Sequence, residues 1–342
     1  EVCAAALREG LTLCSGPLLL SLFPFLVVSR LLIQCPESDL LALPFRLAAW
    51  GIGIRTPCAA RVLCIGFLGG FAPAASAAAQ AVRTGQLTAE EADALLPACI
   101  CSGPSFVVLT VGQSLLGSAE LGVLLFASQI TANYLTAALL NRFAGVRSVK
   151  QRPAAPASPA PPRLDEILAD AAITYCKLCG FILFFRMLAA GAGALLPAGA
   201  GTLCSILLEV CSGCDLASRT GRWGSLLCCA ALSVQGLSVL LQVRTICPAE
   251  MTLRPLYRSR LLHLPLSLAL FYLLLPGGEA DVFSTLPARV LLMRRVPPDC
   301  ALLVFAVCCM AACTLRSGIR QVEQKQMARN AGGCCINSKT LL

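Results

Sequence analysis

Two long stretches of the chain contain no charged residue at all. Leu121–Leu140 and Ser225–Val243 have none, and Leu11–Ile33 has only Arg30. Each stretch is long enough to cross the hydrocarbon core of a bilayer, which takes about 20 mainly apolar residues. The whole chain is 57% hydrophobic and 13% charged, whereas a soluble domain has about 25% charged residues. The sequence therefore predicts an all-α polytopic membrane protein.

Two shorter apolar runs, Leu261–Pro276 and Cys300–Leu315, predict additional spans. Leu11–Ile33 lacks a separate basic segment before it, so we interpret it as a first span rather than a cleaved signal peptide. Lys and Arg concentrate in short cytoplasmic loops, and the sequence therefore predicts a multi-pass protein of the cell membrane with three basic stretches in the cytoplasm. These stretches are Arg142–Arg163, Arg244–Arg260 and the tail after Leu315.

Gly and Pro break several of the apolar segments. Ser102-Gly103-Pro104 follows a helix that a Thr88…Glu91 capping box predicts, and Gly69-Gly70 divides Ala59–Arg83 into two short pieces. Inside a bilayer, irregular backbone is tolerated only where it is buried in protein or lines a wet cavity. We therefore predict re-entrant hairpins and discontinuous transmembrane helices, although any single break of this kind is also typical of a packing kink.

The two parts of the chain carry similar pieces in the same order, on either side of a Pro/Ala-rich linker. Pro24–Leu32 matches Gly180–Leu188 at Phe, Arg and Leu, and Leu207–Asp215 and Leu232–Val243 correspond to the breaks of the first part. If each part crosses the membrane three times, the second is inverted, and inverted repeats are typical of transporters. The predicted divisions are a first Gate-like repeat 11–145, a cytoplasmic linker 146–163, a second Gate-like repeat 164–276, a loop and further span 277–315, and a basic cytoplasmic tail 316–342.

Several other functions are disfavoured by the composition. Cys176-Lys-Leu-Cys179 and Cys211-Ser-Gly-Cys214 have the spacing of a zinc site, but they lie in apolar surroundings in a chain with one histidine, so we favour packing over a metal. The net charge of +9 is dispersed without an aromatic stacking platform, which argues against nucleic acid. No nucleophile–base pair and no nucleotide loop is recognisable, so neither an enzyme nor a cofactor is expected.

Four segments in a fixed order resemble the YlbJ-type sporulation integral membrane proteins of the nucleoside-recognition or Gate-domain group. They are GFLGGFAP, AEEADALLPACICSGPSF, LSVQGLSVLLQV and LRPLYRSRLLH, and the resemblance covers most of residues 11–275. It implies a sporulation-associated transporter of a small anion, dipicolinic acid in that group, in the membrane around the forespore. Ile100 and Cys101 stand where that group tends to carry asparagines, and Leu240 stands where it often has a polar residue. The polar lining is therefore expected to be thinner.

The predicted solute site lies where the breaks would face each other. The half-helix after Ser102-Gly103-Pro104 is expected to direct its unsatisfied N–H groups and positive dipole end at an anionic solute. Gln235–Ser238 would face it from the second repeat, with Gln242 one turn further on. The predicted solute-binding residues are Gly69, Gly70, Ser102, Gly103, Pro104, Glu209, Ser212, Gly213, Gly236, Ser238 and Gln242.

Three charged residues at membrane depth have two interpretations each. Arg30 and Arg186 occupy matching positions in the two repeats, where they would pair with an anion or extend to the membrane interface. Glu209 would bind a coupling proton or cation, or cap a half-helix. The sequence leaves these alternatives open.

Three classes of function remain. The first is a carrier or facilitator of a small anionic or nucleoside-like solute, and the second is a non-transporting membrane scaffold or sensor in spore assembly. A membrane enzyme is the weakest of the three, since the parts for catalysis are missing. The expected partners are membrane lipid and the solute, and the sequence does not indicate an oligomeric state.

Overall fold

The structure, a computed structural model, describes residues 1–34, 42–144 and 164–275. Within these ranges the chain is all-helical and contains no strand, so the predicted all-α class is confirmed. The described residues belong to one compact unit. The predicted linker 146–163, the loop and span 277–315 and the tail 316–342 lie outside them.

The first part of the chain begins with one long helix. Helices α1 (Val2–Leu13) and α2 (Leu19–Gln34) are joined by a π-helical turn at Cys14–Leu18, so the helix starts at Val2 rather than at the predicted Leu11. The elements that follow are α3 (Leu43–Gly51), α4 (Pro57–Gly69), α5 (Phe71–Arg83), α6 (Ala89–Cys99), a π-helical segment (Ser105–Leu115) and α7 (Ala119–Ala144).

The second part repeats this order of elements, apart from α3. In each part a long helix is followed by two short helices that meet at a break, two more short helical elements that meet at a break, and a second long helix. The elements are α8 (Leu164–Leu195), α9 (Ala198–Leu208), α10 (Val210–Ser218), α11 (Gly224–Val234), α12 (Gly236–Ile246) and α13 (Arg254–Leu274).

Within the described ranges, three helical segments are long and apolar enough to cross a membrane, and they are Ala119–Ala144, Leu164–Leu195 and Gly221–Ile246. The first two are α7 and α8, and the third combines the turn before α11 with α11 and α12. This finding agrees with the predicted spans at Leu121–Leu140 and Ser225–Val243, and it is compatible with a membrane protein.

Helices α7 and α13 bury several polar side chains and expose several apolar ones. In α7, Gln129 and Asn133 are buried, whereas Phe143 is 81% exposed. In α13, His263 is fully buried, whereas Leu273 is 77% exposed. Soluble proteins show the opposite preference. In membrane helices, polar residues face the interior of the bundle, so this distribution is the one expected of helices surrounded by lipid.

The helix breaks lie where the sequence predicts them. Gly70, with a φ of 82°, separates α4 from α5, and an extended stretch from Ile100 follows α6. In the second part, Glu209 separates α9 from α10 in an extended conformation, and Gln235, with a φ of 63°, separates α11 from α12. The four interruptions are confirmed, and each falls between two helical elements that run directly into it.

The predicted basic loop Arg244–Arg260 is wrong in its second half. Helix α13 starts at Arg254. Pro255 lies in its first turn, where the backbone N–H groups have no partner within the helix, so that a proline costs no hydrogen bond. Arg260 is therefore a helical residue, and it is only 8% exposed. The basic residue that the pattern assigned to the cytoplasmic surface lies inside the protein.

The capping box at the start of α6 is confirmed and supports a prediction. The Glu91 backbone N–H donates to Thr88 Oγ1 at 2.9 Å, and the Thr88 N–H donates to Glu91 Oε2 at 3.0 Å. We expect Thr88→Ala to destabilise the protein by about 1 kcal/mol, because a helix donor loses its acceptor. The measurement is thermal unfolding in detergent. Thr84→Ala is the matched control, since the Thr84 hydroxyl only donates within its own helix, and an equal shift for both variants would contradict the prediction.

Candidate functional site

The two breaks of the first part lie against each other. A Cβ placed on Gly70 would be 2.7 Å from the Gly103 nitrogen, so these two backbones approach more closely than any side chain allows. A Cβ on Gly103 would be 3.4 Å from the Gly69 carbonyl oxygen. The sequence predicted that Gly103 lets the backbone approach a solute. In the structure, the backbone that approaches Gly103 belongs to the neighbouring helix pair.

The half-helix after this break is a π-helix. Pro104 precedes it as the N-cap, and its first bonds run from the N–H groups of Phe106 and Val107 to the Gly103 carbonyl. Ser102 is buried beside Gly103. The predicted site residues Gly69, Gly70, Ser102, Gly103 and Pro104 are thus brought together at one place.

The two breaks of the second part also lie against each other. A Cβ on Gly236 would be 2.9 Å from the Glu209 nitrogen. The Glu209 carboxylate accepts from the backbone N–H groups of Cys211 at 2.8 Å and Ser212 at 2.7 Å. Of the two interpretations of Glu209, the structure shows the cap of a half-helix. Gly213 is buried against α9, where a Cβ would be 2.8 Å from the Ile206 Cα.

The carbonyl oxygen of Ile100 joins the two parts of the chain. Ile100 follows the last residue of α6 in an extended conformation. Its oxygen accepts from Asn133 Nδ2 at 3.2 Å, from Gln235 Nε2 at 3.3 Å and from the Arg260 guanidinium at 3.5 Å. Gln235 is itself the break between α11 and α12. A break of the first part is therefore hydrogen-bonded to a break of the second.

Arg260 brings a buried positive charge to this junction. Its guanidinium donates to Asn133 Oδ1 at 3.0 Å, to the Pro97 carbonyl at 3.5 Å and to the neighbouring Ser259 hydroxyl at 3.2 Å. All of these acceptors are neutral, and among the described residues no carboxylate forms an ion pair with Arg260. A buried cation is usually paired, so the missing anion is the most unusual feature of the site.

Arg30 and Arg186 differ from Arg260 in this respect. Arg30 pairs with Asp170 at 2.8 Å, and Arg186 pairs with Glu9 at 2.9 Å. Both pairs join the first long helix to α8. The predicted alternatives were a solute anion or the membrane interface, whereas the structure supplies a carboxylate of the chain itself to each arginine.

A second polar cluster adjoins Arg260 along α13. Gln129 Nε2 donates to Ser233 Oγ at 2.9 Å, and the Ser233 and Ser267 hydroxyls are hydrogen-bonded at 2.5 Å. His263 Nε2 lies 3.2 Å from the Gln129 carbonyl oxygen. All four residues are buried. The interior between α7, α11 and α13 is therefore polar over more than two helical turns.

Several buried polar atoms have no hydrogen-bond partner within the part of the chain that the structure describes. They include the Oε1 atoms of Gln235 and Gln242 and the hydroxyls of Ser76 and Ser205. Gln242 uses its Nε2 to donate to Ser238 Oγ at 2.9 Å. A buried polar atom without a partner costs about 1–3 kcal/mol, so these atoms are candidates for contact with a bound solute.

The polar side chains at the centre of the site were not among the residues that the sequence predicts to bind the solute. Gln129 and Asn133 lie in a run that was noted for having no charge. Arg260 was assigned to a basic cytoplasmic stretch, and His263 to the apolar run Leu261–Pro276. The side-chain amides of Gln129 and Asn133, which lie within a predicted span, could have indicated the site. Polar residues within a span are rare and usually face the interior, whatever their charge.

The two Cys-x-x-Cys motifs hold no metal-binding arrangement. Among the described residues, no group of three or more His, Cys, Asp or Glu side chains is placed to hold an ion. Cys176 is exposed and Cys179 half-buried on α8, while Cys214 is buried on α10 beside Cys228. All four are free thiols.

Comparison of the chain with protein-family models, with curated proteins and with solved structures finds no match. The resemblance to YlbJ-type proteins therefore stays a prediction. The function has to be inferred from the geometry of the site.

Proposed function

We propose that the chain is a multi-pass carrier or facilitator that moves a small anionic solute across the cell membrane. The observation that carries this proposal is Arg260, a buried cation without a carboxylate partner among the described residues. A buried charge left unpaired costs several kcal/mol, and intramembrane charges mark substrate or ion pathways. An anion bound beside Arg260 would provide the missing negative charge.

The position of Arg260 supports transport rather than mere binding. It donates to the Ile100 carbonyl, to which the Gln235 amide also donates, so it lies where interrupted helices of the two parts meet. Transporters built from inverted repeats bind their substrates at such interruptions. We propose that 11–145 and 164–276 form two repeats of this kind, with α4–α5 and α9–α10 as their re-entrant hairpins.

The polar groups around Arg260 favour a solute with carboxylates. The Asn133 and Gln235 amides carry donors, and a guanidinium binds a carboxylate through two parallel hydrogen bonds. Dipicolinate, which the resemblance to YlbJ-type proteins suggests, is a small aromatic dicarboxylate of this class. A nucleoside would use the amides but leave the charge of Arg260 unmatched, so it is the second choice of solute.

A non-transporting scaffold or sensor of spore assembly is the alternative function. It is favoured by the tight contact between the breaks, since a side chain at Gly70 would have no room against the Gly103 backbone. A scaffold needs no solute, whereas a carrier must bind one. Binding to the folded state raises thermal stability, so stabilisation of the purified protein by a solute distinguishes the two.

Counterflow uptake into proteoliposomes tests the proposal directly. Vesicles that contain the purified protein are loaded with unlabelled solute and diluted into labelled solute from a panel of dicarboxylates and nucleosides. We expect accumulation of dipicolinate above that in protein-free vesicles. If no anion accumulates and none stabilises the protein, the carrier proposal is wrong and the scaffold takes its place.

The inverted-repeat proposal predicts the sides on which two segments lie. The linker and the tail, both outside the described residues, are expected on the cytoplasmic side because each is basic. In a variant depleted of cysteine, Ser158→Cys and Ser338→Cys should react with an impermeant maleimide from the same side of the membrane. Reaction from opposite sides would contradict two inverted repeats of three crossings each.

A further inference from the structure

His263 has one ring nitrogen in use and one without a partner. Its Nε2 lies 3.2 Å from the Gln129 carbonyl oxygen, and a carbonyl oxygen only accepts, so Nε2 must carry the hydrogen. The neutral imidazole then holds a lone pair on Nδ1. That atom is buried and has no hydrogen-bond partner among the described residues, in a residue that is 0% exposed. The site therefore contains a base to which no described residue is hydrogen-bonded.

The base is next to the unpaired cation. Residues three apart on a helix are neighbours on its surface, and His263 follows Arg260 by three on α13. Both are buried, and both contact α7, where Gln129 faces the imidazole and Asn133 faces the guanidinium. A solute bound at Arg260 would lie within one helical turn of the imidazole.

No carboxylate among the described residues is placed to balance a proton on His263. Helix α13 packs against α6, α7 and α11. On α13 itself the nearby charge is Arg260, while α11 contributes the thiol of Cys229 and the chain after α6 the thiol of Cys101. The Asp93 carboxylate of α6 is used at the start of α13, where it accepts from two backbone N–H groups. On α7, the Asn133 side-chain amide contacts Arg260 and the Gln129 backbone carbonyl contacts His263, and both groups are neutral.

We propose that His263 takes up a proton at Nδ1 when an anion binds beside Arg260, so that the carrier moves its anion together with a proton. This inference rests on the proposed function. The proton comes from water on the side from which the anion enters, forms an N–H bond at Nδ1, and returns to water on the other side. A second cation beside Arg260 is unfavourable while the site is empty, because like charges repel strongly in a medium of low dielectric constant. When a dianion is bound, its two negative charges make a second positive charge on His263 favourable.

The coupling between the proton and the anion predicts the direction and the slope of a pH dependence of binding. Two ligands that favour each other's binding do so by the same factor, so the proton and the anion each raise the affinity for the other. If binding takes up one proton, the apparent affinity for a dicarboxylate falls by about tenfold for each unit of rise in pH. The slope applies while the empty site remains unprotonated.

The experiment uses the fact that His263 is the only histidine in the chain. Protein labelled with nitrogen-15 histidine, purified through a tag that lacks histidine and placed in lipid nanodiscs, gives the nitrogen signals of one imidazole. At neutral pH we expect a neutral ring with the hydrogen on Nε2. With saturating dipicolinate we expect both ring nitrogens to carry hydrogen. A ring that stays neutral while calorimetry shows dipicolinate bound would overturn the proton proposal and leave the anion carrier intact.

A variant provides a second readout. His263→Gln keeps a donor for the Gln129 carbonyl but has no titrating group, so we expect it to bind dipicolinate with an affinity independent of pH. Tyr272→Phe, at an exposed position of α13, should keep the parent's tenfold slope. If His263→Gln keeps the slope as well, the proton is held elsewhere and the proposal is wrong. If the parent binds dipicolinate at no pH, the anion carrier fails and the proton proposal fails with it.

Discussion

Arg260→Gln is expected to lower the affinity for dipicolinate by roughly 10- to 100-fold, because one charge-assisted interaction with the solute is lost. Glutamine keeps a neutral donor near the Ile100 carbonyl but no positive charge. Arg260→Lys should lie between the two, since it keeps the charge and loses the planar fork that holds two carboxylate oxygens. Titration calorimetry in detergent measures all three affinities.

Arg30→Gln is the matched control for this prediction. Arg30 is buried and helical like Arg260, but its charge is already paired with Asp170. The control should therefore lose thermal stability and keep its affinity for dipicolinate. An equal loss of affinity in both variants would mean that the substitution acts through general damage. An unchanged affinity in Arg260→Gln would remove the observation on which the carrier proposal stands.

The interruptions of the helices could be predicted because their causes are local. Gly70 permits a backbone conformation and a close contact that a side chain would prevent, and Thr88 with Glu91 starts α6 through bonds within one turn. The break at Gln235 is different. Its φ of 63° is unusual for a residue with a Cβ, and nothing in its immediate sequence except the following Gly236 indicates it. The matching break of the first part provided the signal.

The partners of the charged residues could not be predicted, since they lie far away in the sequence. Arg30 and Asp170 are 140 positions apart, and Arg186 and Glu9 are 177 apart. Without those carboxylates, Arg30 and Arg186 are equally suited to a solute anion. Arg260 is the reverse case. Arg260 ends a stretch with several basic residues, which is typical of a cytoplasmic loop. Only the packing of α13 against α6 and α7 shows that its side chain is buried.

The side-chain composition of the spans predicts a thinner polar lining than the structure contains. Ile100 stands where YlbJ-type proteins tend to carry asparagine, and its apolar side chain suggested a thin polar site. In the structure, the group at this position that bonds to both parts of the chain is the backbone carbonyl. A backbone oxygen is present whatever the side chain is, so side-chain composition underestimates the polarity of a broken helix.

The largest loss of stability is expected for Gly70→Ala, and it follows from two separate costs. Gly70 has a φ of 82° and a ψ of −163°, a conformation that is essentially restricted to glycine and costs any other residue about 1–3 kcal/mol. In addition, the new Cβ would be 2.7 Å from the Gly103 nitrogen, and overpacking of this kind costs a further 1–3 kcal/mol or so. Together these predict a destabilisation of roughly 2–6 kcal/mol. Thermal unfolding in detergent measures it.

Two other glycines of the same part separate the two costs. Gly85 has a φ of 70° and open space around its Cβ position, so Gly85→Ala should show the backbone cost alone. Gly103 lies on the other side of the Gly70 contact, has no positive φ, and would place its Cβ at an ordinary distance of 3.4 Å. Gly103→Ala should therefore unfold near the parent's temperature. If Gly103→Ala is as unstable as Gly70→Ala, or if Gly70→Ala is no worse than Gly85→Ala, the breaks are not in the close contact described here, and a solute could enter between them without moving either helix pair.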